Sequence, residues 1–421
     1  MLIKKMSILF SNKKIIFLFL LMALSFYKSP YIFVNGRFIA EEGSYFFRYT
    51  YLFGYIEGLT FLLKESGYFN LWANLASIFA NLVPINLAPL ITVYFAFSVK
   101  ILLLLYILFQ KSNFLENNNQ RYIASFLVIV APTMVAEIWL NTLTSQVYFT
   151  IISTVILFQI NNKNLLTKLS PVVLFFSTLS SIQSCLLAPF FLRKYVKQKD
   201  KINLYNLIVI CAGSLTQFII YFYIRFNNLE WGGLSNERYI LSLDKLLNFT
   251  YNVIFKSFLG TPFTKFLYFN SLQNIFIFVI LLSLLSLVIL FLIKSLKIIV
   301  KDKILLTLII LFICQSLLAI YAGKANHVSG RYAVVPSIML LFIFVRLFYI
   351  KSPFKLFAGV LLLMSASFGL YEFKKNNKYP QFLMCIDCPI WEDEISKWRQ
   401  DENYKLKIWD YSTNKTMSLK K

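Results

Sequence analysis

The sequence predicts an all-α fold, a polytopic transmembrane helical bundle of about eleven crossings with further helices lying in the external interface. Of its 421 residues, 58% are hydrophobic and 14% are charged, whereas a soluble domain carries about 25% charged residues. Apolar stretches long enough to cross a hydrocarbon core recur along the chain. Short runs of Lys and Arg separate these stretches, and their placement predicts which way each span runs.

The net charge of +23 is explained largely by these runs. Together they hold nineteen cations against three acids, Glu116, Asp200 and Asp302. Cytoplasmic loops carry such an excess of cations, so the runs are predicted to lie inside, and no nucleic-acid partner is needed to explain the charge. The cations are Lys4, Lys5, Lys13, Lys14, Lys111, Arg121, Lys163, Lys168, Arg193, Lys194, Lys197, Lys199, Lys201, Lys294, Lys297, Lys301, Lys303, Lys351 and Lys355.

The first span is predicted over residues 15–27, with Lys28 snorkelling towards the interface and Pro30 ending the helix. Residues 28–86 then form an external loop. Within this loop, residues 44–65 carry aromatic and aliphatic side chains at spacings of three and four, which is typical of a helix lying in the membrane interface. Residues 87–109 are predicted to return to the cytoplasm.

The later spans alternate in direction. Residues 170–192 lie between two cytoplasmic runs and are polar in the middle, which predicts a hairpin of two short helices or a re-entrant pair. Residues 1–370 then form a transmembrane module, and residues 371–421 form a short external tail. In the tail, Cys385 and Cys388 favour a local disulfide, and residues 391–399 favour an amphipathic helix. The other crossings are predicted at residues 121–140, 147–160, 203–224, 275–293, 305–321, 334–349 and 356–370.

Two adjacent carboxylates, Glu41 and Glu42, lie in the external loop. Like charges so close together, beside a membrane, favour a raised pKa for at least one of the two carboxyls. Two interpretations are open at this point. The pair belongs to a functional site facing outward, or it is a solvated turn at a helix start, where the helix dipole favours Glu.

The predicted topology brings further polar residues to the same external face. Acids suited to a general base and cations suited to a phosphate are therefore available together. An external face has no ATP and few nucleotide sugars, so a glycosyl donor there would be lipid-linked. The residues are Glu137, Asn141 and Gln146 at the outer end of one hairpin, and Lys324, His327, Arg331 and Tyr332 in a late loop.

Four of these residues also have an ordinary structural interpretation. Glu137 is equally well explained as a helix-end acid bonded to the following turn. Arg331 and Lys324 have the character of interfacial residues that snorkel. His327 is the only histidine of the chain, and a lone histidine in a polar loop is more often incidental than catalytic.

Two segments carry a resemblance to a known family. Asn35-Gly36-Arg37-Phe38-Ile39-Ala40-Glu41-Glu42-Gly43 resembles the aromatic-x-Ala-Glu-Glu-Gly loop of bacterial members of the GT-C superfamily of integral membrane glycosyltransferases, with Ile39 where Trp is often found. Gly330-Arg331-Tyr332-Ala333-Val334-Val335-Pro336 resembles the Arg-Tyr-x-x-x-Pro segment that opens a late span in such proteins. The order of spans and loops resembles that superfamily over nearly the whole chain.

The resemblance implies an inverting transfer of a sugar from a polyprenyl-phosphate donor to an envelope glycan or a lipid-linked acceptor. Glu41 would act as the general base, and Glu42 would orient the acceptor or bind a metal; their order is open. Arg331, with Lys324 or His327, would bind the donor phosphate. The rim of the site would be supported by Glu137, Asn141, Gln146, Arg37 and Tyr332. Metal dependence is open: the superfamily has members with a divalent ion such as Mg or Mn and members with none.

Three alternatives accompany this expectation. A transporter or flippase of lipid-linked sugars would show internal repeats, broken helices and acids at mid-membrane. An oligosaccharide ligase or polymerase would use similar external groups. A purely structural membrane protein would not need charged loops on one face. Composition and resemblance together point to a bacterial inner (plasma) membrane protein, in contact with membrane lipid, whose site faces the external or periplasmic side.

Overall fold

A computed structural model describes the chain between residues 12 and 419, and its gaps are residues 65–66, 134, 228–241, 272–278, most of 280–299, 323–329, 351–353, 377–378, 381–382, 384–387 and 410–414. The described chain is mostly helical, with two small antiparallel sheets of two strands each, so the predicted all-α class is confirmed at that level. The predicted span at residues 275–293 lies almost wholly outside the described residues. The count of about eleven crossings stays a prediction.

The helices and strands are numbered in chain order. The helices are α1 (Asn12–Lys28), α2 (Pro30–Asn35), α3 (Arg48–Phe53), α4 (Tyr55–Leu59), α5 (Leu71–Asn81), α6 (Ala88–Phe109), α7 (Asn118–Val130), α8 (Gln146–Leu157), α9 (Leu165–Ser180), α10 (Ile182–Cys185), α11 (Ala188–Gln198), α12 (Lys201–Phe226), α13 (Leu243–Phe249), α14 (Lys256–Ser271), α15 (Lys303–Ala322), α16 (Arg331–Tyr349), α17 (Lys355–Tyr371) and α18 (Trp391–Gln400). The strands are β1 (Lys375–Asn376), β2 (Tyr379–Pro380), β3 (Leu406–Lys407) and β4 (Thr416–Met417). Segments of π-helix occupy Glu42–Phe47 and Thr250–Phe255, and a 3₁₀ turn occupies Leu143–Ser145.

Four helices of the described chain are long and apolar enough to cross a membrane. Helix α6 has 22 residues, and at a rise of about 1.5 Å per residue it matches a hydrocarbon core of about 30 Å. The four segments are Ala88–Phe109, Lys201–Phe226, Lys303–Tyr321 and Arg331–Tyr349. Shorter apolar helices lie at Leu143–Leu157, Leu165–Ser180 and Lys355–Tyr371.

Helix α7 is shorter than the span predicted for residues 121–140. It begins with a capping box between Asn117 and Gln120 and ends at Val130. The following residue, Ala131, is extended at ψ 131°, because the ring of the next residue, Pro132, clashes with a helical conformation at the position before it. The described residues 135–142 form irregular turns, and this irregular stretch contacts the loop of residues 36–42 that carries Glu41 and Glu42, here called the acidic loop.

The described residues form two compact units. The first comprises Met1–Lys111, Val135–Asn236 and Lys374–Lys421, and the second comprises Ser112–Met134 and Glu237–Phe373. This grouping follows packing alone, and the division into a transmembrane module of residues 1–370 and a tail of residues 371–421 stays a prediction. In the first unit α6 packs against α5 and α8, and every residue of α8 is buried.

The stretch of residues 170–192 has a break in the middle, as its polar residues predict. Helix α9 ends at Ser180, Ser181 adopts an extended conformation (φ −143°, ψ 110°), and α10 and α11 follow. Both ends of the stretch lie beside the end of α8: Gln159 Nε2 donates to Ser170 Oγ at 3.1 Å, and Lys194 Nζ donates to Gln159 O at 2.9 Å. This is the geometry of a hairpin that returns to the side from which it started.

In the second unit α16 packs against α15, α17 and α7. Arg346, near the end of α16, donates from Nε to Asp302 at 2.9 Å and from one terminal nitrogen to Glu116 at 2.8 Å. The guanidinium therefore ties together two of the connections that the charge pattern predicts to be cytoplasmic. The Glu116 side chain is 61% exposed, whereas those of Arg346 and Asp302 are 11% and 15% exposed.

We expect Arg346→Met to lower the free energy of unfolding by about 2 kcal/mol, because the Asp302 carboxylate, which is only 15% exposed, loses its charged donor. Glu116→Gln is the matched comparison and should cost less than about 1 kcal/mol, because the Glu116 side chain is 61% exposed and solvent already screens its ion pair. Thermal unfolding of the purified chain in detergent measures both. Equal effects of the two substitutions would contradict this account of the contact.

Candidate functional site

The acidic loop is held between α6 and the C-terminal tail. Gly36 ends α2 with φ +70°, and a Cβ there would lie 2.6 Å from the backbone nitrogen of Leu90 in α6, so only glycine allows this approach. On the other side, Ala40 N donates to Trp409 O at 2.8 Å and Trp409 N donates to Phe38 O at 2.9 Å. The backbone of the loop is therefore fixed immediately before the two carboxylates.

Glu42 is buried, with 1% of its surface exposed. Its Oε1 accepts hydrogen bonds from the backbone nitrogen of Thr142, at 2.9 Å, and from the Thr142 hydroxyl. Its Oε2 is buried and has no hydrogen-bond partner in the described part of the chain. Burial raises the pKa of the Glu42 carboxyl above its usual value, against the opposing effects of the Thr142 hydrogen bonds and of Arg37.

Glu41 has the opposite environment. Its side chain is 29% exposed, and its Oε1 accepts a hydrogen bond from Lys415 Nζ at 2.8 Å. Two carboxylates adjacent in sequence thus differ in burial, in partner and in access to solvent. Such a pair can divide two chemical tasks, since environment sets the role of each carboxyl.

Arg37 is buried rather than open at a rim. Its side chain is 1% exposed, and one terminal nitrogen donates to the backbone oxygens of Ala136, at 3.3 Å, and of Trp139. The guanidinium carbon also lies 4.9 Å from the centre of the Trp409 ring. Arg37 therefore joins the acidic loop, the irregular stretch after α7 and the C-terminal tail.

The polar turn predicted after Glu137 is the partner of Glu42. Asn141 Nδ2 donates to the backbone oxygen of Glu137 at 2.9 Å, and Asn141 Oδ1 accepts from Leu143 N at 2.9 Å. Gln146 Nε2 donates to the Tyr68 hydroxyl at 3.0 Å. Asn141 and Gln146 are buried and shape the turn that presents Thr142, whereas the Glu137 side chain is exposed.

The cationic half of the predicted site lies in the second unit. Arg331 and Tyr332 open α16, with an Arg331 terminal nitrogen 3.5 Å from the Tyr332 hydroxyl and its guanidinium carbon 5.3 Å from the Tyr332 ring centre. Lys324 and His327 lie outside the described residues. The structure thus brings together Glu41, Glu42, Arg37, Asn141 and Gln146, and the assignment of Arg331, Lys324 and His327 to a phosphate stays a prediction.

A metal at the acid pair would find few protein ligands. In the described ranges, no three His, Cys, Asp or Glu side chains lie together as a metal site. Glu42 Oε2 and Glu41 together offer two carboxylates, which suits an ion such as Mg²⁺ that keeps several waters or binds substrate phosphate as well. The donor set fits such an ion only with ligands from outside the protein.

The burial of two lysines in the first unit was not predicted from the sequence. Lys28 was expected to snorkel, but it is 2% exposed, and Lys100, inside the apolar helix α6, is 1% exposed. Both ammonium groups lie over the indole of Trp139. A signal was present, because an ionisable residue within an apolar span is itself a reason to expect a function.

An apolar cavity of about 420 Å³ lies on α5 and α6. Its lining is aromatic and aliphatic, with Ser98 contributing a hydroxyl. Such a surface suits a hydrocarbon chain better than a sugar. The lining residues are Trp72, Phe79, Leu82, Val83, Ile91, Tyr94, Phe95 and Ser98.

The tail beyond residue 374 folds onto the acidic loop. Helix α18 confirms the predicted helix at residues 391–399, and its Trp391 packs edge-to-face on Phe38 with ring centres 5.1 Å apart. Arg48 Nε donates to Ser418 O at 2.9 Å. Cys388 is disulfide-bonded, in keeping with an oxidising compartment, and Cys385 lies outside the described residues.

No family model, curated protein or solved structure matches the chain. Any functional assignment therefore depends on the geometry of the site and on the resemblance of its two short segments.

We expect the contribution of Glu42 to the stability of the protein to fall as the pH rises from about 4.5, the ordinary pKa of Glu, through the raised pKa of folded Glu42. In that window the unfolded chain has lost its proton while folded Glu42 keeps it, so a rising pH favours the unfolded state. Glu42→Gln removes this effect. The measurement is the midpoint of thermal unfolding of both proteins between pH 4 and pH 8.

The control for this experiment is Glu57→Gln, which alters an exposed glutamate of α4. It should follow the wild-type pH profile. The account is wrong if Glu42→Gln also follows the wild-type profile.

Proposed function

We propose that the chain is an integral, multi-pass membrane glycosyltransferase that moves a sugar from a polyprenyl-phosphate donor to an envelope glycan or lipid-linked acceptor on the external face of a bacterial inner membrane. The observation that carries the proposal is the division of the acid pair. Glu42 is buried and bonded to Thr142, and Glu41 is accessible at the surface. The proposal is supported by the resemblance to the GT-C superfamily of the two segments around Glu41 and Arg331.

Glu41 is the general base in this proposal. Its carboxylate reaches solvent and takes the proton from an acceptor hydroxyl as that oxygen attacks C1 of the sugar. The bond between C1 and the phosphate oxygen breaks, so the configuration at C1 inverts and polyprenyl phosphate leaves with its negative charge. In this structure Lys415 Nζ donates a hydrogen bond to Glu41 Oε1 at 2.8 Å, so an acceptor hydroxyl must displace this contact before it reaches the base.

Glu42 positions its neighbour. The two hydrogen bonds from Thr142 hold the side chain of Glu42 and, through the chain, the backbone of Glu41. General-base catalysis depends on distances that are kept to fractions of an ångström, so a buried anchor next to the base has a direct use. A neutral side chain of the same shape can accept the same two hydrogen bonds.

The donor has two parts that the chain must bind. The cavity of about 420 Å³ on α5 and α6 has the apolar lining that a prenyl chain needs. For the phosphate, the leaving group already carries charge, so it needs electrostatic stabilisation more than a general acid. Arg331, with Lys324 or His327, is the group that the sequence assigns to this task.

A transporter or flippase of lipid-linked sugars is the second candidate. The break at Ser181 between α9 and α10 favours it, because broken helices line the binding sites of many transporters. The hydroxyls at the break bond to one another instead: Thr150 with Ser181 at 2.8 Å, and Ser177 with Ser184 at 2.8 Å. The break thus has a structural explanation, and we rank transfer first; a ligase or polymerase of oligosaccharides would use the same groups as the transferase.

The proposal predicts different results for two isosteric changes. Glu41→Gln removes the base and should lower the rate of transfer by about 10²-fold or more. Glu42→Gln keeps the hydrogen-bond acceptor for Thr142 and should retain most of the activity. The measurement is mass spectrometry of envelope glycans from cells carrying the intact gene, a deletion or either variant, with the membrane level of each protein measured in parallel.

A deletion and Glu41→Gln that both lose the same sugar-sized increment would support the transferase and show the mass of the sugar. A fully active Glu41→Gln with an inactive Glu42→Gln would move the base to Glu42. If both single variants and the double variant retain full transfer, the proposed base is wrong, and an effect of the deletion that Glu41→Gln fully rescues would favour transport.

A further inference from the structure

Two buried lysines of the first unit share one aromatic ring. Lys28 Nζ lies 4.5 Å and Lys100 Nζ lies 3.4 Å from the ring centre of Trp139. Lys100 Nζ also lies 5.2 Å from the ring centre of Tyr148. The Trp139 side chain is fully buried, and its Nε1 donates to Ser29 Oγ at 2.6 Å, so the ring is fixed in place.

Within the described residues, Lys100 lacks the hydrogen-bond and ion-pair partners that a buried ammonium needs. Its Nζ is buried and forms no hydrogen bond, and no ion pair of Lys100 occurs in the part of the chain that the structure describes. A desolvated cation–π contact contributes about 2 kcal/mol, whereas removing an ammonium group from water costs several kcal/mol. The aromatic rings therefore do not offset the burial of this charge.

Lys194 shows how this protein satisfies a structural lysine. Its Nζ donates to Ile156 O at 3.2 Å and to Gln159 O at 2.9 Å. Among the described residues, no carbonyl oxygen accepts a hydrogen bond from Lys100 Nζ. The difference indicates that Lys100 is built to meet a group that comes from outside the protein.

The lysines lie next to the acidic loop. The backbone oxygen of Trp139 accepts a hydrogen bond from Arg37, and Arg37 acts electrostatically on Glu42. Tyr148, the other aromatic neighbour of Lys100, lies in the first turn of α8, directly after the turn that holds Thr142. Lys28 and Lys100 thus lie over the ring of Trp139, and Arg37 contacts the backbone of the same residue. Through Arg37, this tryptophan is linked to Glu42 of the candidate site.

We propose that Lys28 and Lys100 form a binding site for a phosphate group beside Trp139. Two ammonium groups match the two charges of a phosphate monoester, and each can donate several hydrogen bonds to its oxygens. A phosphate on a polyprenyl lipid and free inorganic phosphate offer the same chemistry. The choice of the lipid rests on the proposed function, whereas the anion site does not.

Lys100→Met tests the site, because methionine keeps the length and the apolar stem but removes the charge. Without ligand, we expect this variant to be at least as stable as the wild type, since an unpaired buried ammonium is lost. The dissociation constant of undecaprenyl phosphate from Lys100→Met should be about 10-fold or more above that from the wild type, in line with the loss of a charged hydrogen bond. The measurements are thermal unfolding and direct binding for the full chain in lipid nanodiscs.

The probes distinguish the source of the phosphate. Undecaprenyl phosphate should bind to the wild type. Undecaprenol, which lacks the phosphate, should bind to the wild type more weakly than undecaprenyl phosphate does, and it should bind to the wild type and to Lys100→Met with equal affinity. A response to inorganic phosphate that Lys100→Met loses would support the site and assign it a soluble anion. Lys201→Met, which removes an exposed lysine of α12, should bind every probe as the wild type does.

Equal binding of undecaprenyl phosphate and inorganic phosphate to the wild type and to Lys100→Met would overturn the proposal. If Lys100→Met does not fold, Lys28→Met gives the same test from the other ammonium group. The assay needs no sugar transfer. A chain that binds phosphate through Lys100 but transfers no sugar would therefore refute the proposed function and leave the site intact.

Discussion

The contact between Glu42 and Thr142 is the interaction on which the rest of the candidate site depends. It joins two chain segments 100 residues apart, and it does so in a buried place where an unbonded carboxyl is costly. Because α7 stops before Pro132, the chain is free to make the irregular turn that presents Thr142. Glycine at position 36 and the backbone pairing with Trp409 then hold the other side of the contact.

The C-terminal tail is part of the same construction. Its aromatic residues pack on Phe38 and Phe47, and its Lys415 contacts Glu41. A tail held by a buried apolar cluster is a fixed wall of the site rather than a loose extension. The weaker element is the surface ion pair between Lys415 and Glu41, which contributes about 0–1 kcal/mol and is readily displaced by an acceptor. The acid at the surface is thus easy to release, while the buried acid stays bonded.

Hydropathy and charge predict the long helices well: the span expected at residues 87–109 is α6, at Ala88–Phe109. The broken hairpin after α8 and the tail helix are also visible in the sequence, because polar residues at mid-span and an amphipathic pattern are local signals. The environments of Glu41 and Glu42 are not visible in the sequence, because they depend on distant residues. Buried Glu42 is bonded to Thr142, about 100 residues away, and the more exposed Glu41 contacts Lys415, more than 370 residues away. Lys28 was misplaced for the same reason: snorkelling is the default at a span end, and only the packing of Trp139 shows that the side chain turns inward.

The most direct test of the account is the side of the membrane on which the acidic site lies. Glu137→Cys places a thiol at the exposed rim of the site, and Lys163→Cys places one in a loop that the charge pattern predicts to be cytoplasmic. In intact cells, a membrane-impermeant thiol reagent should label the cysteine at position 137 and leave that at position 163 unlabelled until the membrane is permeabilised. Labelling of position 163 alone would put the acid pair inside the cell and contradict an external transfer from a polyprenyl-phosphate donor.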